Sequence, residues 1–519
     1  MHEITQFTPL GWIYVLRGVP WDNTYRNTRW FDSQGEQQQY FIGKRVYTFD
    51  HTTPVRPGVP LRLPVNMSRI YDCDYIMFQN TNYSEKWFYA FITDIRWVSI
   101  NSCEVDYDLD MVQTWLFQYQ IEQCFVVREH SSTDMPGDNL IAENLELGEY
   151  MYSGMQGTGM FEHYVYLAAA TVDKEGNDAV GGLYSGIYSG LEYNIFTDAT
   201  SLNEYIDAMV SDSKGDAIVS ISMYPLHFID EKGSEQADVD SFKVDKGNGY
   251  SQTIDGYSPR NKKLLTHPFN FLFCTNLAGM AAEFPYEYFT TPDCEFLIFC
   301  DMSPQPTATL VPVSYKGAAQ NFNEKLTMDG FPMCPWATDT YKAWLAQNGS
   351  STAITTMGGA FSTLGNLFSG NIGGAVNGAL SIAQTVAKVK ATQALPPQAH
   401  GAAGNTAMVA IGKKDFYFYR CTITAQYAKI IDDYFQMFGY ATNRVKRPNF
   451  HTRLGWNYVE TRDAVVLGTA PQNACSKMES ILNTGITFWH DDLIGTYNRN
   501  NGIVSTSTQG GEADGEKEA

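Results

Sequence analysis

Apolar and polar positions along the chain follow two periods, and the period changes with position. Over residues 1 to about 135 the runs "GWIYVLRGV", "KRVYTF", "VPLRLPV", "YIMFQN" and "KWFYAFITDIRWVSI" are β-branched and aromatic, with Pro and Asn between them. They predict successive strands. "EVDYDLD" alternates strictly, with Glu104, Asp106, Asp108 and Asp110 on one side and Val105, Tyr107 and Leu109 on the other. At a side-chain period of two, this is a strand with one apolar and one acidic face.

From about 140 to 345 strands and helices mix. "HYVYLAAATVD", "GDAIVSISMYPLHFID" and "EFLIFCDMSPQPTATLVPVSY" read as strands. "SLNEYIDAMVSDSK" reads as a helix with Ser201 as N-cap and Glu204 completing a capping box. Its apolar stripe is Leu202, Tyr205, Ile206, Met209 and Val210. "TDTYKAWLAQNGS" predicts a short helix capped near Thr338. Later, "KKDFYFYRCTIT" predicts a strand. "AQYAKIIDDYFQMFGY" predicts a helix that buries Tyr427, Ile430, Ile431, Tyr434 and Phe435 and ends at a C-cap Gly439.

One stretch fits neither pattern. No charged residue occurs between Lys342 and Lys388, although the chain is strongly charged overall. Ile354, Met357, Phe361, Leu364, Phe368, Ile372, Val376 and Leu380 recur in steps of three and four, a helical stripe, and Leu367, Ile382 and Val386 add to its apolar content. Gly370, Gly373, Gly374 and Gly378 provide small residues at spacings that let helices approach closely in a bilayer, or that let the chain turn near Asn371. Two arms of about 20 residues would each reach ~30 Å if helical, the thickness of a hydrocarbon core. Diluted by Ser, Thr, Asn and Gln, one copy inserts marginally, since each large apolar residue gains only ~0.3–0.6 kcal/mol. A Gly-rich buried or flexible loop is the plainer alternative.

Composition narrows the classes. The 519 residues carry 36 Lys and Arg against 57 Asp and Glu, a formal net charge of -21. Gripping nucleic acid requires clustered cations, so DNA binding is disfavoured, whereas a surface past which DNA slides is not. The aromatic share of 14% favours a β-rich fold over a helical bundle. The nine Cys include no C-x-x-C pair and sit in strand-like contexts, which predicts buried free thiols. The start, "MHEITQFTPLGWIYVLRG", has no basic n-region and is read as lacking a secretory signal. The chain has no P-loop, zincin or nucleophile-elbow motif, and neither catalysis, a cofactor nor a metal is expected. The four acids at 104–110 invite a metal reading, but an EF-hand loop would need a Gly at the turn and a distal Glu, and "MVQTW" follows instead. A solvated strand face is the plain reading; the wall of an acidic channel in an oligomer is the other.

Several strings point to one family. "NTYRNTRWF" (23–31), "YIMFQN" (75–80), "KWFYAF" (86–91), "MVQTW" (111–115) and "VVREH" (126–130) resemble the first part of the distal tail-knob proteins of small short-tailed phages of the phi29 type. "NRVKRPN" (443–449) and "GITFWHDDLIGTY" (485–497) resemble their closing part. The resemblance implies an α+β, mainly β fold. Its expected parts are a first tube β-barrel domain at 1–140, a β-rich distal knob at 141–347 and a hydrophobic membrane-active loop at 348–404. A second tube domain at 405–500 and a disordered acidic tail at 501–519 complete it. It implies a homo-hexameric tube at the distal tip of the virion's tail, joined to an upstream lower-collar protein. DNA would pass its lumen without specific binding, and hydrophobic loops would plug the tube and then open a channel in host membrane lipid. A tail-tip peptidoglycan hydrolase and a receptor-binding module are the rival readings.

Overall fold

The computed structural model describes residues 11–52, 55–56, 58–80, 86–160, 162–173, 182–184, 187–229, 240–244, 253–276, 279–304, 306–316, 326–328, 333–334 and 415–504. The fold is α+β and mainly β. Two compact units form, and neither is a continuous stretch of chain: unit one is Met1–Glu146, Ser258–Leu264 and Gln426–Ala519, and unit two is Leu147–Tyr257 and Leu265–Ala425. Residues 1–140 and most of residues 405–500 therefore fall in one unit, while the strand Tyr417–Ile423 belongs to unit two.

Unit one contains a six-stranded antiparallel sheet in the order Arg45–Thr52, Gly11–Leu16, Tyr75–Asn80, Trp87–Ser99, Ser102–Leu109, Leu61–Leu63. Alternation gives this sheet two apolar faces. Ile13, Val15, Ile76, Phe78, Ala90, Cys103 and Val105 pack on one side. Leu16, Tyr75, Met77, Tyr89 and Phe91 pack on the other, against Val459, Ile481, Leu482, Ile486 and Phe488 from the C-terminal part. A second sheet runs Asn27–Arg29, Ile486–Trp489, Trp456–Arg462, Cys124–Glu129, Tyr440–Lys446. Its first pair is parallel, which two strands far apart in sequence permit.

The helix Ala425–Phe438 corrects the predicted stripe. It buries Ala428, Ile431, Asp432, Phe435 and Gln436, while Ile430 is 58% exposed. The buried face has rotated toward a carboxylate because the strap Ser258–Leu264 brings polar partners to it. Asp432 accepts from Arg260 N (2.9 Å), Asn261 N (3.0 Å) and Asn261 Nδ2 (2.7 Å). Gly439 ends this helix as predicted, at φ +66°, donating its N–H to Phe435 O.

Unit two is built from four-stranded sheets. One runs Tyr150–Gly157, Tyr417–Ile423, Asn270–Thr275, Ala281–Phe284. A second runs Glu192–Phe196, Tyr164–Ala170, Ile218–Pro225, Met333–Cys334, and a third runs Asp240–Val244, Cys294–Cys300, Ala308–Val313, Leu326–Met328. The predicted helix spans Ala199–Ser211 and buries Leu202, Tyr205, Ile206 and Met209. Ser201 is not its cap: Asp198, three residues earlier, accepts from the N–H groups of Thr200 and Ser201, both at 2.9 Å.

Candidate functional site

The acidic strand folds as the second arm of the hairpin Trp87–Ser99/Ser102–Leu109. Val105 is buried on the inner face; Glu104 and Asp106 are half-buried and Asp108 is exposed. Register sets Arg96 and Arg62 on either side of Glu104, and Asp94 opposite Asp106. Arg96 lies 2.9 Å from Asp106 and 3.9 Å from Glu104. Two cations are therefore laid into the acidic face, and alternation within the acidic strand gave no sign of them because they sit on its two neighbouring strands and enter through register.

Asp110 does not belong to that face. The strand ends at Leu109, and Asp110 is fully buried as N-cap of the short helix Met111–Trp115, accepting from Gln113 N at 3.0 Å. Tyr75 OH (2.8 Å) and Trp21 Nε1 (3.2 Å) also donate to it. Burial pushes its pKa up to about 6 against the pull of these donors.

The uncharged stretch, with Ile354, Met357, Phe361, Leu364, Leu367, Phe368, Ile372, Val376, Leu380, Ile382 and Val386 and its glycines Gly370, Gly373, Gly374 and Gly378, lies outside the described residues. The predicted helix after Thr338 lies there too. Among the described residues no helix is long and apolar enough to cross a membrane, and no group of His, Cys, Asp and Glu is arranged to hold a metal.

The quoted strings from the two chain ends meet in unit one. Asn27–Arg29 pairs with Ile486–Trp489, and Asn27 Oδ1 accepts from Trp489 Nε1 (2.9 Å) and Tyr497 OH (3.2 Å). Gln113 of "MVQTW" donates to Thr28 Oγ1 (2.9 Å) and Arg29 O (2.7 Å). Glu129 of "VVREH" is ion-paired with Lys446 of "NRVKRPN" and accepts from Asn449 N (3.0 Å). His130, fully buried, accepts at Nδ1 from Tyr458 N (2.8 Å) and donates from Nε2 to Gln436 O (3.2 Å). His490 stacks on His451 with ring centroids 4.1 Å apart. The buried polar groups in the seam between the two chain ends thus find the partners that burial demands.

The two histidines give a pH dependence. Burial, then Arg453, holds His130 down to about 3; burial, then His451, does the same for His490. Both are neutral when folded and protonate near 6.5 when unfolded, so between pH 6.5 and 3 the unfolded chain binds more protons and stability falls as pH falls. At pH 5 this costs ~2 kcal/mol per histidine. Asp110, raised by burial to about 6, acts oppositely below that pH, and Asp74 and Asp134, raised by burial in the same direction, offset a further part of the loss. Eight of the ten tryptophans, Trp12, Trp21, Trp30, Trp87, Trp97, Trp115, Trp456 and Trp489, lie in unit one, so tryptophan fluorescence chiefly reports its unfolding. The urea midpoint followed this way should fall between pH 7.5 and 5, and less so in a His130→Gln/His490→Asn variant. Equal slopes would show that other groups govern the loss.

Comparison with known proteins identifies this architecture. Residues 235–502, more than half of the chain, match the family described as Bacillus phage phi29, tail knob protein gp9, C-terminal domain. Residues 6–120 match the caudoviral major tail protein N-terminus. Tail knob protein gp9 of Bacillus phage phi29 is 25% identical over 598 aligned positions, covering 94% of this chain and 98% of the phi29 protein. That of Bacillus phage B103 is 24% identical, covering 95% and 98%. The tail knob protein gp12 of bacteriophage C1 shares the fold, with a TM-score of 0.64 at 16% identity over 95% of this chain and 100% of that one. The chain belongs to the phi29 gp9 tail knob family and is a structural protein of the phage tail.

Proposed function

We propose that this chain forms the distal tube and knob of the tail as a homo-hexamer beneath a lower-collar protein. The uncharged stretch of each copy plugs the tube and, on infection, leaves it to open a channel in the host membrane for DNA. The observation that carries this reading is the run without charge between Lys342 and Lys388 in a tail knob chain of net charge -21. Six apolar segments can bury one another in a closed tube at ~25 cal/mol per Å². A bilayer offers the same surfaces a second partner, which gives two states of comparable energy.

The test is dye release from liposomes by the assembled protein, beside an assembled variant lacking residues 349–390. Release by the full protein and none by the deletion is expected. Equal release by both would remove the segment from the mechanism. A tail-tip peptidoglycan hydrolase is the competing reading, and wall lysis by the purified protein would favour it.

In the same reading Glu104, Asp106 and Asp108 face the lumen, where negative walls repel DNA. Replacing the three by Gln, Asn and Asn, with Arg62 and Arg96 retained, should slow DNA ejection several-fold at ~10 mM salt, where the Debye length is ~30 Å, and little at 1 M. Unchanged kinetics at low salt would place the hairpin face away from the DNA path.

A further inference from the structure

The five-stranded sheet of unit one ends in two edges of opposite charge. At one edge Tyr440–Lys446 pairs only with Cys124–Glu129, and the chain reads "RVKR" from Arg444 to Arg447. Lys446 is ion-paired with Glu129, and Arg447 with Glu122 at 3.1 Å. Arg444 is exposed and ion-pairs with no acid among the described residues, and beside it Val445 is 69% exposed. At the other edge Asn27–Arg29 pairs only with Ile486–Trp489. Just past the ends of those two strands come Asp32, Glu36, Asp491 and Asp492. The half-buried Arg29 pairs with Asp492 and, at 3.5 Å, with Glu36, while Arg499 pairs with Asp491. Asp32 is exposed and faces only His451, at 3.5 Å, and Leu493 beside Asp492 is 56% exposed. Arg26, exposed, lies at the far end of Asn27–Arg29 from these acids.

The two edges lie four strand spacings apart, ~19 Å, and point in opposite directions across the sheet. Copies that each carry a net charge of -21 repel one another, so they meet most readily where one of them presents cations. A two-fold contact through either edge would set Arg444 against Arg444 or Asp32 against Asp32. A head-to-tail contact sets the basic edge against the acidic one, and contacts of that kind close rings. Each edge also places one exposed aliphatic residue among its charges, Val445 or Leu493, which supplies the apolar centre of such a contact. Charge on both edges meanwhile keeps them from pairing with strands at large.

We infer that the edge Tyr440–Lys446 of one copy docks against the acidic edge of a second copy, with Val445 on Leu493 and Arg444 between Asp32 and Asp492. The inference rests on the ring proposed above and names the surface through which its copies join. Glu104, Asp106 and Asp108 belong to the other sheet of unit one and take no part in this contact.

Charge exchange between full-length variants tests it. Arg444→Glu/Val445→Glu turns the basic edge acidic, and Asp32→Lys/Leu493→Lys turns the acidic edge basic. All four residues are exposed, so both variants should keep the wild-type urea midpoint. If a pair of substitutions lowers it, Arg444→Glu and Leu493→Lys singly make the same comparison. In native mass spectrometry and sedimentation velocity, each variant alone should lose assembled rings by at least about ten-fold. An equimolar mixture should recover them, because complementary copies can alternate around a hexamer, and so should the chain carrying all four substitutions. Either variant assembling alone at the wild-type level would overturn the inference, as would a mixture of two folded variants that stays unassembled. A wild-type chain that remains single would overturn the ring itself, which is a different result from a ring indifferent to both charge reversals.

Discussion

Asp432→Ala should cost about 3–5 kcal/mol, the range for removing one partner of a buried charged cluster. Asp432 is fully buried, and besides the two backbone N–H groups and the Asn261 amide it accepts from Arg260 Nε at 3.3 Å. Without the carboxylate those donors stay in a site shaped to exclude water, each at ~1–3 kcal/mol. The loss extends along the strap, where Leu264 is fully buried and Lys263 donates to Ile141 O at 2.8 Å and pairs with Glu143. Burial lowers the Lys263 pKa, and Glu143 opposes that shift. Asp432→Asn keeps an acceptor for Asn261 and should lose about half as much. Urea denaturation followed by tryptophan fluorescence measures both, and a loss below ~1 kcal/mol for Asp432→Ala would mean that water replaces the carboxylate.

Gly439→Ala is the second large effect. Gly439 turns the chain from the helix Ala425–Phe438 into the strand Tyr440–Lys446 at φ +66°, and a Cβ there would sit 2.2 Å from Glu129 O and 2.6 Å from His130 N. Left-handed backbone costs an L-residue ~1–2 kcal/mol, and moving a packed strand adds ~1–3 kcal/mol, so a total of about 2–5 kcal/mol is expected. Gly58→Ala separates the two parts. Gly58 has φ +79° and nothing within 4 Å of an added Cβ, so it should lose the backbone part alone. Equal losses at the two sites would show that the Glu129 strand yields without cost.

These two sites also mark where sequence and tertiary structure part. Gly439 is legible from local rules, because a helical stripe followed by Gly states its own ending. The burial of Asp432 is not, since it depends on a seven-residue strap that arrives from the middle of the chain. Hydropathy accordingly favoured Ile430 for the core, and the fold exposes it. The acidic strand divides in the same way. Alternation placed Glu104, Asp106 and Asp108 on one face, since a strand's period is a property of adjacent residues. Asp110 continues the alternation in sequence and leaves it in space, because a helix begins there and needs a cap.

By itself the sequence determined the mainly β class, most strands, the helices around Leu202 and Phe435, and the family to which the chain belongs. All of these rest on neighbouring residues or on strings of them. Tertiary structure alone decided that the two chain ends form one unit, that Arg62 and Arg96 enter the acidic face, and that one sheet carries opposite charge at its two edges. Each of those depends on register between strands, from the eight residues that separate Arg96 and Glu104 to the hundreds that separate the two chain ends, and the pairing energy that fixes register is carried by neither strand alone.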